Sequence, residues 1–299
     1  MKQSELKGNL ILLLTALIWG CAFVAQSVSM DYIGPFTFQC IRSLMGSVVL
    51  IPVFLFMDQA QKRNGTYIAP TSDKKKTQII AGIICGIIMT IAGNLQQIGI
   101  QYTTAGKAGF ITAIYILIVP IIGLFIKKKV SNKLWGCVIL ALIGLYLLSV
   151  TDGFSAINKG DIYVFLCAIA FAFHIIAVDF FVDKVDGVRL SAMQFFICGV
   201  LSGVLMVIFE TPNKTDIMSA AMPILYAGIL SCGVAYTLQI IGQKYTNPTM
   251  ASMIMSLESV FAVLGGMIML HEIPTAREAF GCILMFIAII IPQLPEHKH

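Results

Sequence analysis

Five ionisable side chains stand where nearly everything around them is apolar: Arg42, Lys107, His174, Asp179 and Glu258. A charge at the centre of a lipid-spanning helix costs about 2.5–3.5 kcal/mol on insertion scales, so it persists where it faces a cavity or finds a partner. Glu258 lies near the middle of the apolar run 248–270. A carboxyl group there suits proton uptake and release or contact with a cationic substrate group, and equally suits a structural hydrogen bond between helices. Arg42 sits in the outer third of the run 34–57. It can meet a substrate carboxylate, or it can pair with Asp31 or a backbone carbonyl while snorkelling outward. His174, the residue type that titrates near neutral pH, is flanked by Phe171 and Phe173, which also fits a packed core histidine. Lys107 opens the run 104–126 at its boundary, and Asp179 closes the run 160–181 at a solvated end.

Neutral polar residues extend this set. Trp19, Asn94, Gln97, Tyr115, Tyr236 and Gln239 all fall inside apolar runs and can line a pathway. Trp19 can stack on a substrate ring or cation, or it can simply pack beside Gly20. No catalytic constellation accompanies them. His271-Glu272 begins like a zinc-protease H-E-x-x-H, but position 275 is Thr275. Neither a P-loop nor a G-x-S-x-G elbow is present.

The elements that must position these groups follow from composition. Of 299 residues, 58% are hydrophobic and 12% charged, with a mean hydropathy of +0.89. Soluble domains carry about 25% charged residues, so this chain cannot hide its apolar surface in water. Disorder and a secreted disulfide scaffold are excluded on the same ground. The eight cysteines all lie in apolar runs without a CxxC pair, and they read as small packing residues, with no metal site and no cofactor.

A bilayer core needs about 20 apolar residues per helix. Ten runs qualify, near 8–28, 34–57, 78–98, 104–126, 134–151, 160–181, 190–209, 221–241, 248–270 and 277–292. They are continuously apolar rather than alternating, which selects helices over a barrel. With the N-terminus in the cytoplasm, fifteen of the twenty Lys and Arg fall on the inner side, including Lys74, Lys75, Lys76 and the run at 127–129. Short loops biased in this way mark the cytoplasmic face. The expected location is a cell membrane, crossed many times, with both termini cytoplasmic. The net charge of +5 therefore reports orientation rather than a nucleic-acid partner. The expected partners are the lipid bilayer and a small-molecule substrate, with a homodimer left open.

Leu95-Gln96-Gln97-Ile98-Gly99-Ile100-Gln101-Tyr102-Thr103 aligns with Leu238-Gln239-Ile240-Ile241-Gly242-Gln243-Lys244-Tyr245-Thr246 at an offset of 143, with six of nine positions identical. A weaker match at an offset of 152 joins Gly8, Ala16 and Ala25 to Gly160, Ala168 and Ala177. The first pair of blocks ends spans three and eight. Five crossings separate them, so the second copy is upside down. Inverted repeats of this kind build secondary transporters with a substrate site near the midplane. The expected fold is all-α and polytopic: ten transmembrane helices as two inverted five-helix repeats, over 1–151 and 152–299.

Several segments resemble the EamA-type transporters of the drug/metabolite transporter superfamily. Ala16-Leu17-Ile18-Trp19-Gly20 with Phe23-Val24-Ala25 resembles that family's opening helix. Tyr102 to Thr112, followed by Val119-Pro120, is similar to its fourth helix, and Ser256-Leu257-Glu258-Ser259-Val260-Phe261-Ala262 to its ninth. Ser259 replaces the usual proline there, so a straighter ninth helix is expected. His271 replaces a usual glycine. The resemblance implies ten helices in two inverted repeats and movement of small metabolites, often outward, without ATP hydrolysis. It also implies a gating or substrate role for Lys107. A membrane-embedded enzyme acting on a lipid or small molecule is the alternative, weakened by the missing catalytic groups, and no segment resembles an ion-channel filter.

Overall fold

The computed structural model describes residues 3–67, 69–103, 105–126, 130–149, 158–269 and 275–293. His271, Glu272, the basic run at 127–129, Lys2, Thr104, Lys298 and the expected repeat boundary near residue 152 lie outside the described residues.

The helices follow in order: α1 (Gln3–Ser29), α2 (Pro35–Arg63), α3 (Ser72–Ile100), α4 (Ala105–Ala113), α5 (Tyr115–Phe125), α6 (Asn132–Ser149), α7 (Lys159–Phe181) and α8 (Gly187–Phe209). After two short helices, α9 (Lys214–Ser219) and α10 (Ala221–Leu225), a π-helical segment spans Tyr226–Ala235. The chain closes with α11 (Tyr236–Gln243), α12 (Pro248–Met255), α13 (Glu258–Met269) and α14 (Ala276–Ile290). No strand occurs among the described residues. Seven stretches are long and apolar enough to cross a membrane: α1, α2, α3, Lys107–Phe125, α7, α8 and Ala221–Gln243. The other three expected spans correspond to α6, to the pair α12 and α13, and to α14, which are shorter or interrupted.

In lipid, each backbone N–H and C=O must be satisfied within the chain, so continuous apolar runs become helices. Their starts carry local signals. Thr71, Asn158, Asn247 and Thr275 cap α3, α7, α12 and α14, and Pro35 and Pro248 open α2 and α12. The largest buried apolar cluster joins residues from both halves, among them Leu12, Met89, Ile116, Phe195 and Met253. The outer surface is apolar as well: Phe125 is 84% exposed and Val207 75%, which suits contact with lipid chains.

Contacts between the halves recur with roles exchanged. α3 packs on α7, as α11 and the π segment pack on α1. α3 also packs on α8, as the π segment packs on α2. α2 with α8, and α6 with α14, pair equivalent elements across the same twofold-like relation.

The detail extends to single residues. A Cβ on Gly160 would meet the Gly99 carbonyl at 2.6 Å and Tyr102 Cβ at 2.8 Å; one on Gly8 would meet the Gly242 carbonyl at 3.0 Å and Tyr245 Cβ at 2.8 Å. The offsets of 143 and 152 thus relate two helix crossings of one design, each closed by paired glycines. They lie at opposite ends of the bundle. Gln97 of α3 donates to the Gln26 carbonyl of α1, which puts the ends of those two helices together and leaves Gly8 at the far end from Gly99.

Spans four and nine are both broken. Ile114 separates α4 from α5, and Ser256-Leu257 separate α12 from α13. The break geometry repeats: Ile114 N donates to the Ile111 carbonyl at 3.2 Å and Leu257 N to the Ile254 carbonyl at 3.1 Å, both tight three-residue turns. The expectation of a straighter ninth helix is therefore corrected. Ser252 and Ser256 hydroxyls donate to the Thr249 and Met253 carbonyls at 2.8 and 2.7 Å, competing with the helical ladder without any proline. Pro120 lies within α5, and the break precedes it.

Candidate functional site

The broken spans place Tyr115 and Glu258 as the first residues of α5 and α13, again related by the offset of 143. The Tyr115 hydroxyl donates to Glu258 Oε1 at 3.2 Å, so equivalent positions of the two halves meet. Around this contact is a narrow chamber lined by Trp19, Gln26, Arg42, Gln96, Thr112, Phe171, Ser231, Tyr236 and Gln239 together with Tyr115 and Glu258. Its free interior is about 30 Å³, room for roughly one water. A metabolite cannot enter without the walls separating.

Arg42 and Glu258 are only 5% and 4% exposed. Arg42 donates through Nε at 2.8 Å, and also through Nη2, to the Gln39 amide oxygen, and its guanidinium lies 5.0 Å from the Phe38 ring centroid. Among the described residues, no carboxylate pairs with Arg42 and no cation pairs with Glu258. Neither the Asp31 partner nor snorkelling is realised. Burial of an ion without a counter-charge costs several kcal/mol, and the chamber holds two buried ionisable groups that form no ion pair among the described residues. Further polar atoms on the same wall, Trp19 Nε1, Gln26 Oε1 and Gln239 Oε1, are buried without a protein partner. Trp19 and Tyr236 lie with ring centroids 4.5 Å apart, forming an aromatic side between the polar groups.

Of the residues singled out from sequence, Trp19, Arg42, Tyr115, Tyr236, Gln239 and Glu258 come together here. Asn94, His174 and Lys107 do not line the chamber. Asn94 donates to Ser202 Oγ at 2.8 Å and ties α3 to α8. His174 is fully buried, bonds Gln194 at 3.0 Å through Nε2, and lies edge-on to Tyr236 at 6.2 Å, so it supports the wall from behind. Lys107 Nζ binds Asp161 Oδ2 at 2.6 Å at the end of the bundle. Phe173, expected beside the histidine, is 51% exposed on the outer surface.

Gln26, Thr112 and Ser231 were missed. Gln96 was visible only as the repeat partner of Gln239. In a helix that is apolar on every side, one amide gives no sign of which way it points. A larger groove of about 620 Å³ between the α2–α3 and α7–α8 connections contains the Asp58–Arg189 ion pair. It is open, and none of its lining atoms is a buried orphan.

Comparison with known proteins agrees with this architecture. The EamA-like transporter family model matches residues 6–150 and again 158–292. An uncharacterized transporter of Archaeoglobus fulgidus is 32% identical over 97% of this chain and 87% of its own length. The uncharacterized transporter YoaV of Bacillus subtilis is 24% identical, covering 92% of each. A WAT1-related chloroplastic protein of Arabidopsis thaliana is 21% identical over 93% of this chain and 67% of its own. One solved crystal structure superposes with a TM-score of 0.76 over 96% of both chains at 16% identity, a likeness of fold. Two family matches that together span the bundle, on a chain whose halves meet at a buried polar chamber, make this multi-pass membrane protein a member of the EamA-like transporter family.

Proposed function

We propose that the protein is a secondary-active carrier of ten crossings, with both termini in the cytoplasm, that moves small metabolites across the cell membrane by alternating access. The cargo is an amphipathic molecule with an anionic group for Arg42, a cationic group for Glu258 and an apolar or planar body for Trp19 and Tyr236. Amino acids are the simplest such class, and amphipathic drugs with the same charge layout are the next. Glu258 also serves as the proton-coupling group, because a substrate cation and a proton compete for one carboxylate. Export is the direction that the family resemblance implies.

One observation carries this reading: two buried ionisable groups of opposite type, one from each half, line one chamber without an ionic partner among the described residues. Keeping both groups ionised is costly without counter-charges, and a substrate that brings those charges recovers that cost. Flux in proteoliposomes with an imposed pH gradient tests it, using a panel of labelled zwitterions, anions and cations. Saturable flux confined to molecules carrying both charges is the expected result. Equal flux of neutral analogues, or product formation without flux, rejects it.

A further inference from the structure

The crossings at the two ends of the bundle are built alike and differ in charge. At one end, Thr103 Oγ1 donates to Asp161 Oδ1 at 2.9 Å, and Lys159 lies 3.7 Å from the Tyr102 ring centroid. At the other end, Thr246 Oγ1 donates to Asn9 Oδ1 at 3.0 Å, and Lys7 lies 5.9 Å from the Tyr245 ring centroid. Each residue of one set matches its counterpart at an offset of 143 or 152. The glycine pairs, threonine hydrogen bonds and lysine–tyrosine contacts are thus common to both. The exception is a charge pair. Asp161 also binds Lys107 at 2.6 Å, whereas the equivalent positions hold Asn9 and Met250, which carry no charge.

We propose that Lys107 and Asp161 form a latch that holds the empty carrier closed on the outer side, so that it opens by preference toward the cytoplasm. This rests on the alternating-access reading and on the orientation with α1 starting at the inner face. In a carrier of inverted repeats, opening one end and opening the other are equivalent motions. Interactions matched in both clasps therefore cancel in the comparison, and the ion pair that the equivalent positions of the inner clasp lack biases the carrier toward outer closure. Asp161 is 6% exposed and Lys107 28%, so the pair is partly shielded from solvent and stronger than a fully exposed one.

In this proposal α2 and α8 stay together in both states, so the joints between them do not enter the bias. α2 and α8 are joined at both ends, by Glu210 accepting from Phe36 N and Thr37 N at 2.9 and 2.7 Å and by the Asp58–Arg189 pair. That pair of helices is the fulcrum, and the two clasps are the jaws. A carrier resting in this way presents its chamber to cytoplasmic substrate first, and its apparent affinity from outside is reduced by the fraction of time it spends shut there.

Hydrogen exchange of the full-length protein in nanodiscs reads both clasps at once, over residues 99–103 with 158–164 and over 6–12 with 242–246. In the unaltered protein, the inner clasp exchanges faster. Lys107→Met, which leaves the Asp161 cap of α7 in place, raises exchange at the outer clasp about tenfold. Asn9→Asp with Met250→Lys, which transplants the pair, slows the inner clasp by a similar factor. Outer exchange unchanged within about twofold in Lys107→Met, or an inner clasp that does not slow after the transplant, overturns the latch. Flux separates the two readings. Wild-type flux with unresponsive clasps overturns the latch and leaves the carrier standing, whereas responsive clasps without flux across the substrate panel overturn the carrier assignment.

Discussion

In the first half of the chain the broken span resumes at Tyr115, and in the second it resumes at Glu258, three ångströms away across the chamber. The tight turn before each residue is the same, as is the glycine-paired crossing that anchors each half. The side chain at the break is different: a phenol in one half, a carboxyl in the other. Span three is regular helix where its repeat partner, span eight, winds into ten π-helical residues that contribute Ser231 to the wall. The breaks in spans four and nine and the two glycine-paired crossings share one backbone geometry, whereas spans three and eight do not. The chamber side chains differ between the halves, which gives a largely symmetric frame an asymmetric, polar interior.

That contrast can be broken by substitution, beginning with the largest effect. Glu258→Gln removes the ionisable group and keeps its shape; proton-driven flux in proteoliposomes is expected to fall at least about 100-fold, while the melting temperature stays close to that of the unaltered protein. Unaltered pH dependence of flux in that variant removes Glu258 from the coupling step. Substitutions in the shared frame act on stability and should do so equally in both halves. Gly8→Ala and Gly160→Ala each force a Cβ into the facing helix, and each is expected to cost about 1–3 kcal/mol by thermal or denaturant melting. A cost confined to one of the two would show that the crossings are not equivalent.

Arg42→Gln sharpens the other side of the comparison. It should raise the KM for substrates with an anionic group about tenfold and leave those without one unaffected, read from concentration-dependent uptake. The smallest effect is expected from Tyr115→Phe, which deletes one hydrogen bond to Glu258. Flux should change by about two- to tenfold, with a displaced pH profile and intact folding. A profile that does not move would reduce the Tyr115–Glu258 contact to packing.

Much of the frame was legible in the sequence, and less of the site. Continuous apolar runs and capping residues such as Thr71 and Asn158 announce helices, and the offset of 143 announces the repeat before any contact is known. Glu258 and Arg42 could be singled out because charge in an apolar run is costly wherever it points. Asn94 and Gln26 could not be told apart: both are amides in apolar helices, yet the first binds Ser202 between helices and the second faces the chamber. His174 looked like a titrating group among aromatics and is held by Gln194 behind the wall. The break in span nine was hidden because Ser252 and Ser256 do what a proline was expected to do.

By itself, then, the amino-acid order determined helices, their repetition and the positions where charge must be compensated, since these depend on local hydropathy and on identities at fixed spacing. The tertiary structure alone decided which face of each helix meets lipid, which polar atoms converge, and that Lys107 pairs with Asp161 at one clasp. The physical reason is that lipid-facing and protein-facing surfaces are alike apolar, so hydrophobic periodicity, which reveals the buried side of a helix in water, loses its meaning in a membrane.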